Sequence, residues 1–383
     1  MRDFTLQLLT KVHFGTHIVR EALEQEKEWF AGKVLIVTTG RSLTTHGYLD
    51  ELQQILESIV GKGNVIIFDQ VSPNPKLEEV RHAVTLGRQH GVKAIIGFGG
   101  GSALDAAKAA AVGITAKDDL EEYLLAGKEP SKETLPIIAI PTTAGTGSEL
   151  SKAAIISSPL HHIKAGIRGK CVLPCVAIVD AAYTWTVTKK TTMETGFDAL
   201  AHAIESYVAV KANPFSEMLS EKAIQLVGEN LTLLSRNPED HEAREKMCYA
   251  SMIMGINLAN VGTCLPHRMQ YVIGAATDTS HAAGLIALYP VWLMHEYSVN
   301  ENKIRRIMAL LGGLQAETPE QVYSGFISFL ERLEAKHSLL ELGIKAEMLI
   351  DLTNQVTGNL ANDPLAAQQG IVEQIFRDAM NEV

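Results

Sequence analysis

A carboxylate and an imidazole four residues apart open the chemistry of this chain. Asp198 and His202, in Gly196-Phe197-Asp198-Ala199-Leu200-Ala201-His202-Ala203-Ile204-Glu205, fall on one helix face within reach of a single metal ion. The same spacing suits an ordinary surface hydrogen bond, and the pair alone leaves both readings open. Two further histidines stand downstream, His267 in residues 264–271 and His281 in residues 278–284. Upstream, Gly99-Gly100-Gly101-Ser102 follows an apolar run and opens a helix expected over 103–112. Glycine lets the backbone approach a ligand closely and a helix N-terminus offers unpaired N–H groups, so a pyrophosphate suits this place. The triplet is neither the Gly-x-Gly-x-x-Gly fingerprint nor a P-loop with its lysine, and a plain tight turn is the alternative. Asp105, just beyond, would stabilise the first helical turn. A second loop of small residues, 141–149, carries Thr142, Thr143, Thr146 and Ser148. It too ends a predicted strand, where ligands gather in open α/β sheets.

These loops require a sheet to carry them. Apolar runs at 34–37, 65–68, 94–98, 137–140 and 176–180 alternate with helical patterns, which predicts a parallel sheet covered on both faces. Right-handed crossovers make that a doubly wound α/β domain. Beyond Asp180 the strand pattern stops. Helices are expected over 217–234, 243–260, 304–311, 319–335, 345–354 and 366–380, after a first one opened by a capping box of Thr191 and Glu194. The division expected is an α/β dinucleotide-binding domain over 1–182 and an all-helical, metal-binding catalytic domain over 183–383.

Composition narrows the partners. The 383 residues are 46% hydrophobic and 20% charged, enough for packed cores rather than disorder. A net charge of −10 repels phosphate backbones, so no nucleic-acid partner is expected. Four cysteines are too few for a disulfide framework and point to a reducing, cytoplasmic setting. Asp3 and Gln7 interrupt any apolar leader in residues 1–7, and no run approaches the ~18 apolar residues of a membrane span. A soluble chain with no membrane partner is the expectation. His161 and His162, adjacent and beyond Pro159, point in different directions on most backbones and are left out of any metal site.

Taken together, these segments resemble the iron-containing (group III) alcohol dehydrogenases, which share a fold with dehydroquinate synthase and glycerol dehydrogenase. The resemblance spans nearly the whole chain. It runs through Pro73-Asn74-Pro75, Gly99-Gly100-Gly101-Ser102 with Asp105 and Lys108, residues 141–149, Lys164, residues 196–205 and the two histidine segments. It implies metal ligation by Asp198, His202, His267 and His281, and cofactor contact by Asn74, the glycine triplet, Ser102, Asp105, Thr142, Thr143, Thr146, Ser148 and Lys164. A homodimer and a small or medium alcohol or aldehyde substrate follow from the same likeness. One carboxylate and three neutral imidazoles suit Fe²⁺, with Zn²⁺, Mn²⁺, Co²⁺ or Ni²⁺ as alternatives. Such an ion would act as a Lewis acid on the substrate oxygen while hydride moves to or from the nicotinamide.

Three departures from the family pattern stand out. Tyr271 replaces a histidine often found four residues after the third ligand, so it is a proton-relay candidate or a packing residue. Ala282 follows His281 where glycine is usual. The first βα turn reads Thr38-Thr39-Gly40-Arg41-Ser42, with no acid to hold the adenosine ribose. A carboxylate there repels a 2′-phosphate, whereas Thr39, Arg41 and Ser42 would accept one. NADP(H) is therefore expected to be preferred, with NAD(H) as the alternative. Two other functions are weighed against an NAD(P)-dependent dehydrogenase. A dehydroquinate-synthase-like cyclase would need a phosphate-binding set that Arg268 and Lys211 scarcely provide, and a non-catalytic nucleotide-binding module would not need four ligands.

Overall fold

A computed structural model of the chain describes residues 3–161 and 163–381. The leader reading falls partly on Met1 and Arg2, and the exclusion of adjacent histidines partly on His162; these lie outside the described residues. By internal packing the chain divides into the unit Gln7–Val187 and a second unit running from Thr188 onward, with the N-terminal residues through Leu6.

Among the described residues the first unit holds eight strands: β1 (Lys11–Gly15), β2 (Val34–Thr38), β3 (Val65–Phe68), β4 (Ala94–Gly99), β5 (Ile137–Pro141), β6 (Ala153–Ser158), β7 (Ile163–Arg168) and β8 (Val176–Asp180). Six form one sheet in the order β1-β8-β5-β4-β2-β3, every pair parallel. All five expected runs lie in it. The sixth member, β1, reads Lys-Val-His-Phe-Gly and shows no apolar run; its register with β8 places it at the edge. Strands β6 and β7 form an antiparallel hairpin outside the sheet, where no strand is expected from sequence. Along β6 buried and half-buried residues alternate, as they do in a strand covered on one face.

Alternate residues of the sheet feed two apolar layers. Ile36, Ile96, Ile138 and Ile178 pack with Leu23, Leu52 and Ile55, while Leu35, Val37, Ile95 and Ile137 pack with Val80, Ala107 and Ala110. The alanine-rich helix Gly101–Thr115 lies close on β4, because a Cβ at Gly97 would stand only 3.1 Å from the Leu104 Cα. That helix begins two residues earlier than expected, so Gly101 and Ser102 form its first turn at the carboxyl end of β4.

The second unit is helical. Helix Lys189–Val208 is buried on every side from Gly196 onward and packs against helices Pro214–Arg236, His241–Asn260 and His281–Leu310. A helix buried all round has no polar stripe, which is why its periodicity is weak in the sequence. At Gly196 a Cβ would fall 2.5 Å from Leu231 and 2.9 Å from Met247, so glycine permits that packing. The helix starts earlier than the expected Thr191/Glu194 box: Thr188 is the N-cap, and its hydroxyl accepts the Thr191 N–H. The helix expected over 304–311 is the end of the much longer helix His281–Leu310, which contains Pro290 and a non-helical Asn300 (φ −137°, ψ 41°). Helix Leu265–Thr277 precedes it. Among the described residues no single helix is long and apolar enough to cross a membrane.

Candidate metal centre and nucleotide loops

Three helices of the second unit bring four side chains to one point. Asp198 and His202 come from helix Lys189–Val208, His267 from the first turn of helix Leu265–Thr277, and His281 opens helix His281–Leu310 behind its N-cap Ser280. The Asp198 Oδ1 lies 3.7 Å from the His202 Nε2, 3.4 Å from the His267 Nε2 and 3.6 Å from the His281 Nε2. Donor atoms of Asp198, His267 and His281 all lie within 4.8 Å of one another. The His202 ring stacks on His267 with centroids 4.5 Å apart. In a tetrahedral cage with bonds of about 2.1 Å, neighbouring donors stand roughly 3.4 Å apart, so the spacing suits one bound cation. The Asp198 Oδ1 and His267 Nε2 are buried, and no hydrogen bond from the described residues meets either atom. A cation between them resolves that cost. The residues fit a metal.

Electrostatics point the same way. Burial alone would raise the Asp198 carboxyl, but the imidazoles of His202, His267 and His281 hold it well below the usual carboxylate range. Burial would likewise lower the His267 imidazole, yet Glu205 and Asp198 on either side push it up to about 10. The pocket is thus built to hold positive charge. His281 is the least enclosed ligand candidate, a quarter exposed at its side chain, which leaves the open position that a catalytic metal needs on that side.

Two residues behind the ligands carry roles that no local sequence pattern marks. Glu205, fully buried, accepts the His267 Nδ1–H at 2.6 Å and the Cys264 N–H at 2.6 Å. Gln270, also buried, accepts from the His281 Nδ1 through its amide oxygen. Each contact leaves the Nε2 of its histidine facing Asp198, the outer-layer device that orients metal-bound imidazoles. Tyr271 stacks on His281 with centroids 5.9 Å apart. It lies four residues after His267, beside the open side of the cluster.

In the first unit, the glycine triplet draws three strand ends together. A Cβ at Gly99 (φ +149°) would stand 2.7 Å from the Ala103 Cβ and 3.4 Å from the Thr39 Oγ1; at Gly100, 3.3 Å from the Thr143 Oγ1; at Gly101, 2.5 Å from the Thr146 Cγ2. Thr142 donates its N–H to the Gly99 carbonyl at 2.9 Å. Hydroxyls from two loops therefore converge on a helix N-terminus whose N-cap, Gly100, offers no side chain to occupy it. That arrangement fits a phosphate. Asp105 turns away from the first turn of its own helix: it accepts from the Ser148 Oγ at 2.6 Å and the Ile155 N–H at 2.9 Å. Buried Lys108 donates to the Ser148 Oγ at 2.7 Å, the Ser151 Oγ at 3.1 Å and the Ala153 carbonyl at 2.9 Å. Asp105, Lys108 and Ser148 thus fasten the two loops to each other. Lys164 on β7 donates to the Asn74 Oδ1 at 2.8 Å, forming a second group. Arg41 and Ser42 are exposed in the short helix Gly40–Thr45, whose N-cap is Thr39. His161 bonds Ser158 at 2.9 Å. Gly101→Val, which fills the loop from within, is expected to raise the nicotinamide-cofactor Kd by about tenfold or more, the loss of one or two hydrogen bonds to an anion. Fluorescence titration with the reduced cofactor measures it.

A parallel α/β unit with glycine and threonine loops at its strand ends, joined to a helical unit holding one carboxylate and three histidines, defines a metal-containing nicotinamide dehydrogenase class. Residues 10–181 match the family model described as iron-containing alcohol dehydrogenase, and residues 192–380 match its C-terminal part. The long-chain primary alcohol dehydrogenase of Thermoanaerobacter ethanolicus is 30% identical, covering 98% of this chain and 97% of its own. Long-chain-alcohol dehydrogenase 1 of Geobacillus thermodenitrificans is 33% identical, covering 95% and 94%. Among solved structures, the NADH-dependent butanol dehydrogenase A of Thermotoga maritima superimposes with a TM-score of 0.87 at 26% identity, covering 99% of each chain. The alcohol dehydrogenase of Oenococcus oeni does so with a TM-score of 0.91 at 26% identity, covering 98% and 100%. The chain belongs to the iron-containing alcohol dehydrogenase family. It is an oxidoreductase, an alcohol dehydrogenase or aldehyde reductase that works with a nicotinamide cofactor.

Proposed function

We propose that the protein interconverts a small or medium alcohol and its aldehyde, with Asp198, His202, His267 and His281 holding one divalent ion, Fe²⁺ on the family likeness. When bound, the ion supplies Lewis acidity to the substrate oxygen and the nicotinamide supplies or accepts the hydride. The chain's own part is positional. Glu205 and Gln270 fix two imidazoles, and the exposed side of His281 with the Tyr271 ring admits the substrate. The observation that carries this reading is the set of three Nε2 atoms around one buried Asp198 oxygen. A panel of alcohols and aldehydes, followed by nicotinamide absorbance with and without chelator, tests it. Turnover that stops with chelator and returns with Fe²⁺ or Zn²⁺ is expected; turnover indifferent to chelator contradicts it.

The cofactor we favour is NADP(H). Arg41 offers an exposed cation beside the hydroxyls of Thr39 and Ser42 in a turn with no acid of its own. Against this stands Asp69, whose carbonyl accepts the Gly40 N–H at 3.2 Å and whose carboxylate belongs to the adjoining strand end. A higher kcat/KM with NADPH than with NADH, reduced about tenfold in Arg41→Ala by loss of one charged hydrogen bond, is expected. A clear NADH preference in the unaltered enzyme contradicts it. We further propose a cytoplasmic homodimer. The thiols of Cys171, Cys175, Cys248 and Cys264, too few for a disulfide framework, support the compartment, and the family likeness supports the dimer; sedimentation equilibrium tests the latter.

A further inference from the structure

Resting on the metal-site reading above, we propose that Arg268 is an anion-binding residue, and that the substrate is an aldehyde or alcohol carrying a carboxylate, sulfonate or similar anionic group a few carbons from the reacting carbon. Arg268 directly follows His267 on helix Leu265–Thr277. Its guanidinium carbon lies over the Tyr271 ring, 5.5 Å from the centroid, and the Tyr271 ring stacks in turn on His281. An unbroken row of side chains therefore leads from the open side of the metal cluster to a fixed positive charge.

Among the described residues that charge has no counter-ion. The Nη2 donates to the Thr263 Oγ1 at 2.9 Å, while the Nε is buried with no hydrogen-bond partner. No carboxylate among the described residues lies within ion-pair distance, whereas Arg81, Arg305, Arg306 and Arg377 all have one. In a chain with ten more acids than bases, a half-buried guanidinium left without an acid is costly unless a ligand supplies one. Its stem is also held in place. A Cβ at Gly358 (φ +102°) would stand 3.3 Å from the Arg268 Cδ, so that bend of chain gives way to the arginine. A planar fork of donors beside an aromatic face matches a carboxylate or sulfonate. The guanidinium-to-Tyr271 and Tyr271-to-His281 spans, 5.5 Å and 5.9 Å, put the charge at most about 11 Å from the His281 ring centre, a distance that a short chain of a few carbons bridges once contacts of about 3 Å at each end are counted.

The test compares kcat/KM for succinic semialdehyde, for the sulfonate aldehyde of the same length and for neutral butanal, in the metal-loaded enzyme and in Arg268→Gln and Arg268→Lys. We expect an anionic preference of about 10- to 100-fold, the worth of a hydrogen bond to a charged group. In Arg268→Gln that ratio should collapse, mainly through KM, and Arg268→Lys should keep part of it. The preference for carboxylate over sulfonate, or the reverse, names the anion. Calorimetric titration with succinate or propane sulfonate supplies a readout free of turnover: the variant should lose the binding that the parent shows, at equal metal content and thermal midpoint. Equal efficiency on charged and neutral aldehydes in the parent, or an unchanged ratio or anion affinity in Arg268→Gln, overturns the proposal and leaves the dehydrogenase reading standing. If no aldehyde turns over while the titration still shows Arg268-dependent anion binding, the subsite stands and the proposed reaction falls.

Discussion

Asp198→Asn is expected to leave the fold intact, abolish tight metal binding and lower kcat/KM by about a thousandfold or more. The substitution keeps the shape of a side chain that is only 3% exposed and removes the one negative charge facing three imidazoles. A dication would then sit among neutral donors in a buried place, where the effective dielectric is low and each missing charge weighs heavily. Loss of the several kcal/mol that a bound ion gives to a charged transition state corresponds to about three powers of ten in rate. Elemental analysis of the purified variant reads the metal, and steady-state kinetics with added Fe²⁺ or Zn²⁺ reads the rate. A variant that keeps one ion per chain and most of its turnover would show that the carboxylate is not a ligand.

Glu205→Ala should cost both stability and metal. Its carboxylate accepts from the His267 Nδ1 and the Cys264 N–H at 2.6 Å each, and the Tyr289 hydroxyl approaches it at 3.4 Å. Truncation strands a buried amide and a ring nitrogen at once, while the phenol keeps its bond to the Ala201 carbonyl at 2.9 Å. Breaking a buried charged pair of this kind typically costs about 3–5 kcal/mol of stability. Metal affinity should also fall by about 10- to 100-fold, the usual consequence of removing an outer-layer partner of a metal-bound histidine. Glu205→Gln separates the two effects: it fills the same volume and should lose less stability, yet it still weakens the metal because the amide orients His267 less firmly. Thermal midpoints and chelator competition measure each quantity. An alanine variant that holds metal as tightly as the parent would make Glu205 a packing residue only.

How far these sites can be read from the chain depends on the range of the forces involved. Asp198 and His202 are legible because helix geometry places i and i+4 together without help from elsewhere. Glu205 lies on the same helix, but its role depends on His267, 62 residues away, and that helix is buried on every face, so no periodic pattern marks one side as special. Gln270 is hidden for the same reason, since its partner His281 begins a different helix. In the first unit the apolar runs of β2, β4, β5 and β8 announce a doubly covered sheet. Strand β1, with Lys11 and His13 among its five residues, owes its place to pairing with β8, and hairpin β6–β7 alternates too weakly to stand out. Asp105 shows the limit in another way. Its position after the glycine triplet suggests a helix-end role, but Ile155 of the hairpin, invisible in the sequence, and Ser148 of the preceding loop meet it instead. The N-cap at Thr188 is a local matter: two hydroxyl residues three apart, Thr188 and Thr191, compete for the same function, and the first takes it.

The most direct test of the central claim is metal reconstitution. Enzyme stripped by chelator is titrated with Fe²⁺ or Zn²⁺ while nicotinamide oxidation by an aldehyde is followed. The geometry around Asp198 predicts no turnover at the start and a linear rise that saturates at one ion per chain, and His267→Ala should stay inactive throughout. Full turnover in the stripped enzyme, or equal reconstitution of His267→Ala, would contradict a metal site at Asp198, His202, His267 and His281.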